Sequence, residues 1–189
     1  MYNKAEARQR IVIAMVEVYR EKGLDFTMDD IAKHLSMSKK TIYKLFNDKE
    51  EIFLAVLDHV FARIKEAERE VVADESLGTV EKLIKLLSAM PLSMEDIDFS
   101  KPYPLKTKYP RVYDQICLRL ESDWDDTVEL LEKGIKEGVF RPVSIPIFKM
   151  AYSASLERLL ERDDATGAGI SYKEARLKVS ELLVMGLTK

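Results

Sequence analysis

Apolar residues recur at helical spacing along nearly the whole chain, and no segment alternates in the manner of a strand. Ile11, Ala14, Met15, Val18 and Tyr19 fall at i, i+3, i+4, i+7 and i+8, which is one face of a helix. Ile52, Phe53, Val56, Leu57, Val60, Phe61 and Ile64 repeat the pattern farther on, and Val112, Ile116, Leu120, Trp124, Val128, Leu131 and Ile135 repeat it again. Stripes of this period must bury against one another, so the expected fold is all-α, with about nine helices.

Capping residues divide the pattern into elements. Gly23 stands where a helix C-cap glycine belongs. Thr27 to Asp30 reads as a capping box for a short second helix with Ile31, Ala32 and Leu35 on its apolar side. Ser36, Met37 and Ser38 form a tight connection, and Ser38 caps a third short helix expected over 39–46. A second box, Asp48 to Glu51, opens a long fourth helix. A helix is expected over 79–90, then turns and short pieces over 91–110, where four prolines stand at 91, 102, 104 and 110. One long helix is expected from about 111 to 136, another from 144 to about 164, and a last one opened by Ser171 to Glu174.

Several classes are excluded. The longest stretch free of Asp, Glu, Lys and Arg is nine residues, Leu86 to Met94, whereas a membrane span needs about 20 mostly apolar residues. The first apolar run, Ile11 to Val16, is closed by Glu17, so no secretory leader is expected. The single cysteine, Cys117, can form neither an internal disulfide nor a thiolate cluster, and a reducing cytoplasm is the simplest setting. The two histidines, His34 and His59, are isolated, and no H-x-x-x-H, C-x-x-C, G-x-S-x-G or glycine-rich phosphate loop occurs. Adjacent carboxylates such as Glu50 and Glu51, Asp125 and Asp126, or Asp163 and Asp164 point about 100° apart on a helix and make no acid–base pair. The expectation is a protein without catalytic residues, cofactor or metal.

Charge then points to a partner. Residues 1–50 carry a net charge of +2 and the remaining 139 a net charge of −5. From Lys33 to Asn47 there are four lysines and no acid. Two short helices joined by a three-residue turn make a helix-turn-helix, whose second helix enters the major groove of DNA with its N-terminal residues at the base edges. Here that N-terminus is Ser38-Lys39-Lys40-Thr41. Residues 23–53 resemble the DNA-binding signature of TetR-family transcriptional regulators, through Gly23, Thr27, Ile31, Ala32, Ser38, Thr41, Ile42, Tyr43, Phe46, Lys49, Glu50 and Ile52. Lys108-Tyr109-Pro110-Arg111 and Gly134-x-x-x-Gly138-x-Phe140-Arg141 are also similar to segments common in that family. The chain departs from it with Leu35-Ser36-Met37 in the turn, Lys40 where glycine is frequent, and Leu45 before the Phe.

The resemblance implies a helix-turn-helix domain over 1–48 and a helical effector-binding and dimerisation domain over 49–189, with helix 4 (about 49–70) linking them. It implies DNA contacts by Thr27, Lys39, Lys40, Thr41, Tyr43, Lys44 and Lys49. It implies a homodimer on a palindromic operator, with Ala151, Ala154, Ser155, Leu159, Leu182, Leu183 and Gly186 at the dimer interface. It also implies a pocket for a small apolar or amphipathic effector that relieves repression, with Met90, Phe99, Tyr103, Tyr109, Tyr113, Cys117 and Trp124 as candidate lining. The competing reading is a helical DNA-binding or adaptor protein of the same shape with no effector ligand.

Overall fold

The structure is a computed structural model and describes residues 3–90, 105–161 and 169–189. Phe99 and Tyr103 therefore lie outside the described residues. The helices are α1 (Lys4–Lys22), α2 (Met28–His34), α3 (Lys39–Tyr43), α4 (Lys49–Ala73), α5 (Thr79–Leu87), α6 (Leu105–Lys108), α7 (Pro110–Glu121), α8 (Asp125–Lys136), α9 (Ile145–Glu161) and α10 (Tyr172–Met185), with a short 3₁₀ turn over Gly23–Asp25. Among the described residues the fold is all-α, with one isolated β-bridge between Phe140 and Thr188.

The chain forms two compact units, residues 1–62 with 105–115, and residues 63–104 with 116–189. Both α4 and α7 contribute residues to each unit. In the first unit, Ile11, Met15, Phe26, Ile31, Ile42, Phe46 and Ile52 are all but fully buried. These are the positions that the 3.6-residue period turns inward. In the second unit, α5 packs on α8 and α10, and α9 packs on α10. Its core gathers Leu83, Leu87, Trp124, Leu130, Leu131, Phe140, Phe148, Leu156, Val184 and Leu187. Gly134 is buried there because a Cβ would meet the Phe140 ring at 2.2 Å.

The helix expected over 111–136 is two helices. Its apolar stripe runs on in register, but Asp123 takes a left-handed φ of 57° and breaks the ladder. The Trp124 indole N–H then donates to the Leu120 carbonyl at 2.9 Å, satisfying an acceptor at the end of α7. The third helix is also shorter than expected and ends at Tyr43.

Candidate nucleic-acid interface

α2 starts at a complete capping box. The Thr27 hydroxyl accepts from the Asp30 N–H at 3.3 Å, and the Asp30 carboxylate accepts from the Thr27 N–H at 2.7 Å and from its hydroxyl at 2.8 Å. Lys22 Nζ lies 2.5 Å from the same carboxylate. Lys22 and Thr27 together hold the Asp30 carboxyl far below the usual carboxylate range.

α2 ends in a Schellman turn. The Met37 N–H reaches back to the Ala32 carbonyl at 2.8 Å and the Ser36 N–H to the Lys33 carbonyl at 3.1 Å. Ser36 sits in the left-handed position at φ 51°, the slot that glycine normally fills. Ser38 then caps α3, its Oγ accepting from the Thr41 N–H at 3.1 Å. The turn points α3 so that Ile42, Leu45 and Phe46 are buried and Lys39, Lys40, Tyr43 and Lys44 are exposed, with Thr41 half-buried. Tyr43 is 51% exposed and follows Lys39 and Lys40 by one helical turn.

The cations divide into two groups. Lys40 and Lys44 are exposed, and no ion pair joins them to a described residue. Lys39 Nζ is 3.1 Å from Asp29, whose carboxylate also takes Lys33 at 3.5 Å. The Lys39 hydrogen bond pulls the Asp29 carboxyl below its ordinary value. Lys49 is different. Its ammonium donates to the Leu24 carbonyl at 2.6 Å and the Phe26 carbonyl at 2.5 Å, and it stacks 3.7 Å from the Phe26 ring centroid. Burial, aided by the nearby Lys108 charge, lowers its pKa to about 8. Thr27 and Lys49, both expected on DNA, thus have their polar atoms committed inside the domain, Thr27 to the cap and Lys49 to the strand of chain before it.

Arg8 and the 108–111 segment were not legible as parts of this site. Arg8 donates to the Leu45 carbonyl, stands 3.4 Å from Glu51 and lies 4.0 Å over the Phe46 ring. Glu51 in turn accepts from the Asn47 N–H at 2.8 Å and its side-chain amide at 2.9 Å. This network pins the C-terminal end of α3. The available signal was register, because Arg8 shares a helix face with Ile11, Val12 and Met15. The Tyr109 ring packs 4.9 Å from Phe53, Lys108 reaches Asp25 at 3.3 Å, and Arg111 reaches Glu50 at 3.4 Å. Tyr109 and Tyr113, expected in the effector pocket, therefore belong to the first unit, while Met90, Cys117 and Trp124 belong to the second.

On α9 and α10, Ala154, Leu182 and Gly186 are exposed, and Ala151, Ser155, Leu159 and Leu183 are half-buried. Leu182 is 75% exposed, and Ile147, Met150 and Met185 are exposed as well. Among the described residues no helix is long and apolar enough to cross a membrane, and no group of His, Cys, Asp and Glu could hold a metal ion.

Residues 11–56 match the family described as bacterial regulatory proteins, tetR family. An HTH-type transcriptional regulator of Bacillus subtilis, YvaF, is 24% identical over 180 residues, which covers 95% of each chain. Two solved structures share the fold. A TetR-family transcriptional regulator from Cytophaga hutchinsonii superposes with a TM-score of 0.69 at 19% identity, over 100% of this chain and 98% of that one. The fatty acid degradation regulator FadR from Bacillus halodurans superposes with a TM-score of 0.61 at 21% identity, over 94% of both chains.

Proposed function

We propose that this chain, whose residues 11–56 match the tetR family, is a DNA-binding transcriptional regulator that acts in the cytoplasm as a repressor, binding a palindromic operator as a homodimer and released by a small apolar or amphipathic effector. The observation that carries this reading is the exposed face of α3, where Lys40, Tyr43 and Lys44 stand clear of the domain while Ile42 and Phe46 anchor the helix behind them. Residues 1–48 carry the reading elements and residues 49–189 the effector and dimer functions, although residues 49–62 and 105–115 pack in the same compact unit as the reading elements.

Lys39, Lys40, Thr41, Tyr43 and Lys44 meet the groove and the flanking phosphates. Lysine ammonium groups neutralise phosphate charge or reach guanine O6 and N7, and the tyrosine hydroxyl donates to a phosphate oxygen. Thr27 and Lys49 hold the start of α2 in place and reach a phosphate only by giving up their present partners. One helix-turn-helix reads only a few base pairs, so a twofold mate doubles the contacts and matches a palindrome. The apolar side chains exposed on α9 and α10 supply a surface for that mate. The Bacillus halodurans relative is named for fatty acid degradation, which supports an effector with an apolar body. An effector works only by binding the DNA-competent and released dimers with different affinity.

The test is the salt dependence of binding to an operator fragment. Affinity should fall steeply with salt, and Lys44→Ala should flatten the log–log slope by about 2 per dimer, one lost phosphate contact on each protomer. A protein that had kept the shape but lost DNA would show no slope.

A further inference from the structure

One buried group in the second unit is explained neither by DNA reading nor by core packing. Arg176 is 6% exposed, on the inward face of α10 that also carries Tyr172 and Ser180. Its Nη2 donates to the Ala89 carbonyl at 2.7 Å and approaches the Leu87 carbonyl at 3.4 Å, just past the end of α5. Its Nε proton is buried and meets no acceptor. The Tyr152 hydroxyl donates to the same Leu87 carbonyl, and the Trp124 ring stands edge-on to Tyr152 at 5.5 Å. Burial raises the Tyr152 pKa, so its hydroxyl stays protonated and able to donate. Among the described residues no carboxylate pairs with Arg176.

A buried guanidinium is tolerated when a counter-charge and full hydrogen bonding offset its lost hydration. The α5 carbonyls bring the negative end of a short helix dipole and offset part of that cost. They leave the guanidinium without a directly paired carboxylate and one N–H idle; the Glu68 charge reaches Tyr152 only through space. A guanidinium offers Nε–H and an Nη–H side by side, the fork that a carboxylate fills with two parallel hydrogen bonds. Tyr152, which shares the Leu87 carbonyl with Arg176, belongs to one apolar cluster with Leu87, Trp124, Leu156 and Val184, and Met90 follows Ala89 directly.

We propose that Arg176, assisted by the Tyr152 hydroxyl once its proton turns from the Leu87 carbonyl, anchors the carboxylate of a ligand whose remaining body is apolar. The assignment rests on the effector reading above and narrows it from an apolar or amphipathic compound to an amphipathic anion. The arginine takes the carboxylate through Nε and Nη, and the body lies against Trp124 and its neighbours.

The test uses the full-length protein and matched probes, octanoate with octanol and 4-phenylbutyrate with 4-phenylbutanol. Trp124 is the only tryptophan, so its emission reports binding directly. The expected result is saturable binding of at least one carboxylate, with its alcohol weaker by about tenfold or more. R176M should erase that preference, and without ligand it should melt close to the wild type, because removal of a buried charge with no carboxylate partner offsets the donor lost to the Ala89 carbonyl, while the Leu87 carbonyl keeps Tyr152. The proposal is overturned if neither carboxylate binds, if alcohols bind as well as acids, or if R176M keeps the preference. It is also overturned if R176M melts well below the wild type and R176Q, which keeps an N–H donor, restores the melt, since Arg176 would then serve to cap α5. DNA binding separates this proposal from the reading beneath it. A carboxylate that binds through Arg176 without changing operator affinity leaves the subsite standing and removes effector control. Alcohols that release the operator where carboxylates do not leave effector control standing and remove the subsite.

Discussion

The two units each take a cation out of water, and they treat it in opposite ways. In the first unit the Lys49 ammonium has two backbone carbonyls within 2.6 Å and an aromatic face beneath it, with the Asp25 and Asp30 charges close by. Arg8 has a carbonyl, the Glu51 carboxylate and the Phe46 ring. In the second unit Arg176 has the Leu87 and Ala89 carbonyls and the Tyr172 ring at 5.9 Å, but no carboxylate partner, and its Nε is idle. A cation whose partners are complete is part of the scaffold. One whose partners are incomplete stores electrostatic cost at a place where a ligand can relieve it. On this comparison the first unit ties its cations into the scaffold behind the exposed Lys40 and Lys44, and the second leaves one buried cation incompletely bonded.

The largest expected effect tests the scaffold half. Lys49→Met should cost about 2 kcal/mol, because the Leu24 and Phe26 carbonyls lose their donor, and calorimetry should show the melt falling by roughly 4–8 °C. A melt equal to that of the wild type would break the comparison, since Lys49 would then be as dispensable to the fold as Arg176 is expected to be. Next comes Lys44→Ala, expected to weaken operator binding by about tenfold while leaving the melt within about 0.5 kcal/mol of the wild type. Fluorescence anisotropy and a thermal scan on the same sample decide it, and a shared loss would make Lys44 structural.

A smaller effect sharpens the account of Lys49 itself. Its pKa is lowered to about 8 in the fold against about 10.4 unfolded, so between those values the unfolded chain holds more protons. Stability therefore rises with pH across that window, and the melting gap between the wild type and Lys49→Met should widen from pH 7 to pH 9.5. A gap that narrows would mean that the ammonium is favoured in place rather than penalised by burial. The smallest expected effect is at the turn. Ser36→Gly should raise stability by about 0.5 kcal/mol, because a left-handed φ of 51° costs a side-chain-bearing residue what glycine does not pay. Chemical denaturation midpoints would show it, and a loss of stability would mean that the serine side chain contributes more than its backbone strains.

Much of the head was legible in the sequence because period and caps agree there. Thr27, Ser38, Ile42 and Phe46 each occupy the place that local rules assign. The break between α7 and α8 was not legible, since Leu120, Trp124 and Val128 keep one stripe across Ser122 and Asp123, and only the backbone of Asp123 reveals the turn. Tyr109 read as pocket lining because an aromatic at helical spacing does not say which unit it will join; its ring lies on Phe53. Arg8 and Arg176 were hidden for a common reason. Charged side chains default to the surface in any pattern argument, yet each sits in register with buried neighbours, Ile11 and Met15 for the one, Tyr172 and Ser180 for the other.

The central claim is that the outer face of α3 reads DNA in duplicate. Selection of bound sequences from a random duplex pool by the purified full-length protein tests it most directly. A recovered inverted repeat, with half-sites one helical turn apart or a multiple of it and lost in Lys40→Ala/Lys44→Ala, is the result predicted. Enrichment of no sequence, or of a site bound equally well by that double variant, would contradict it.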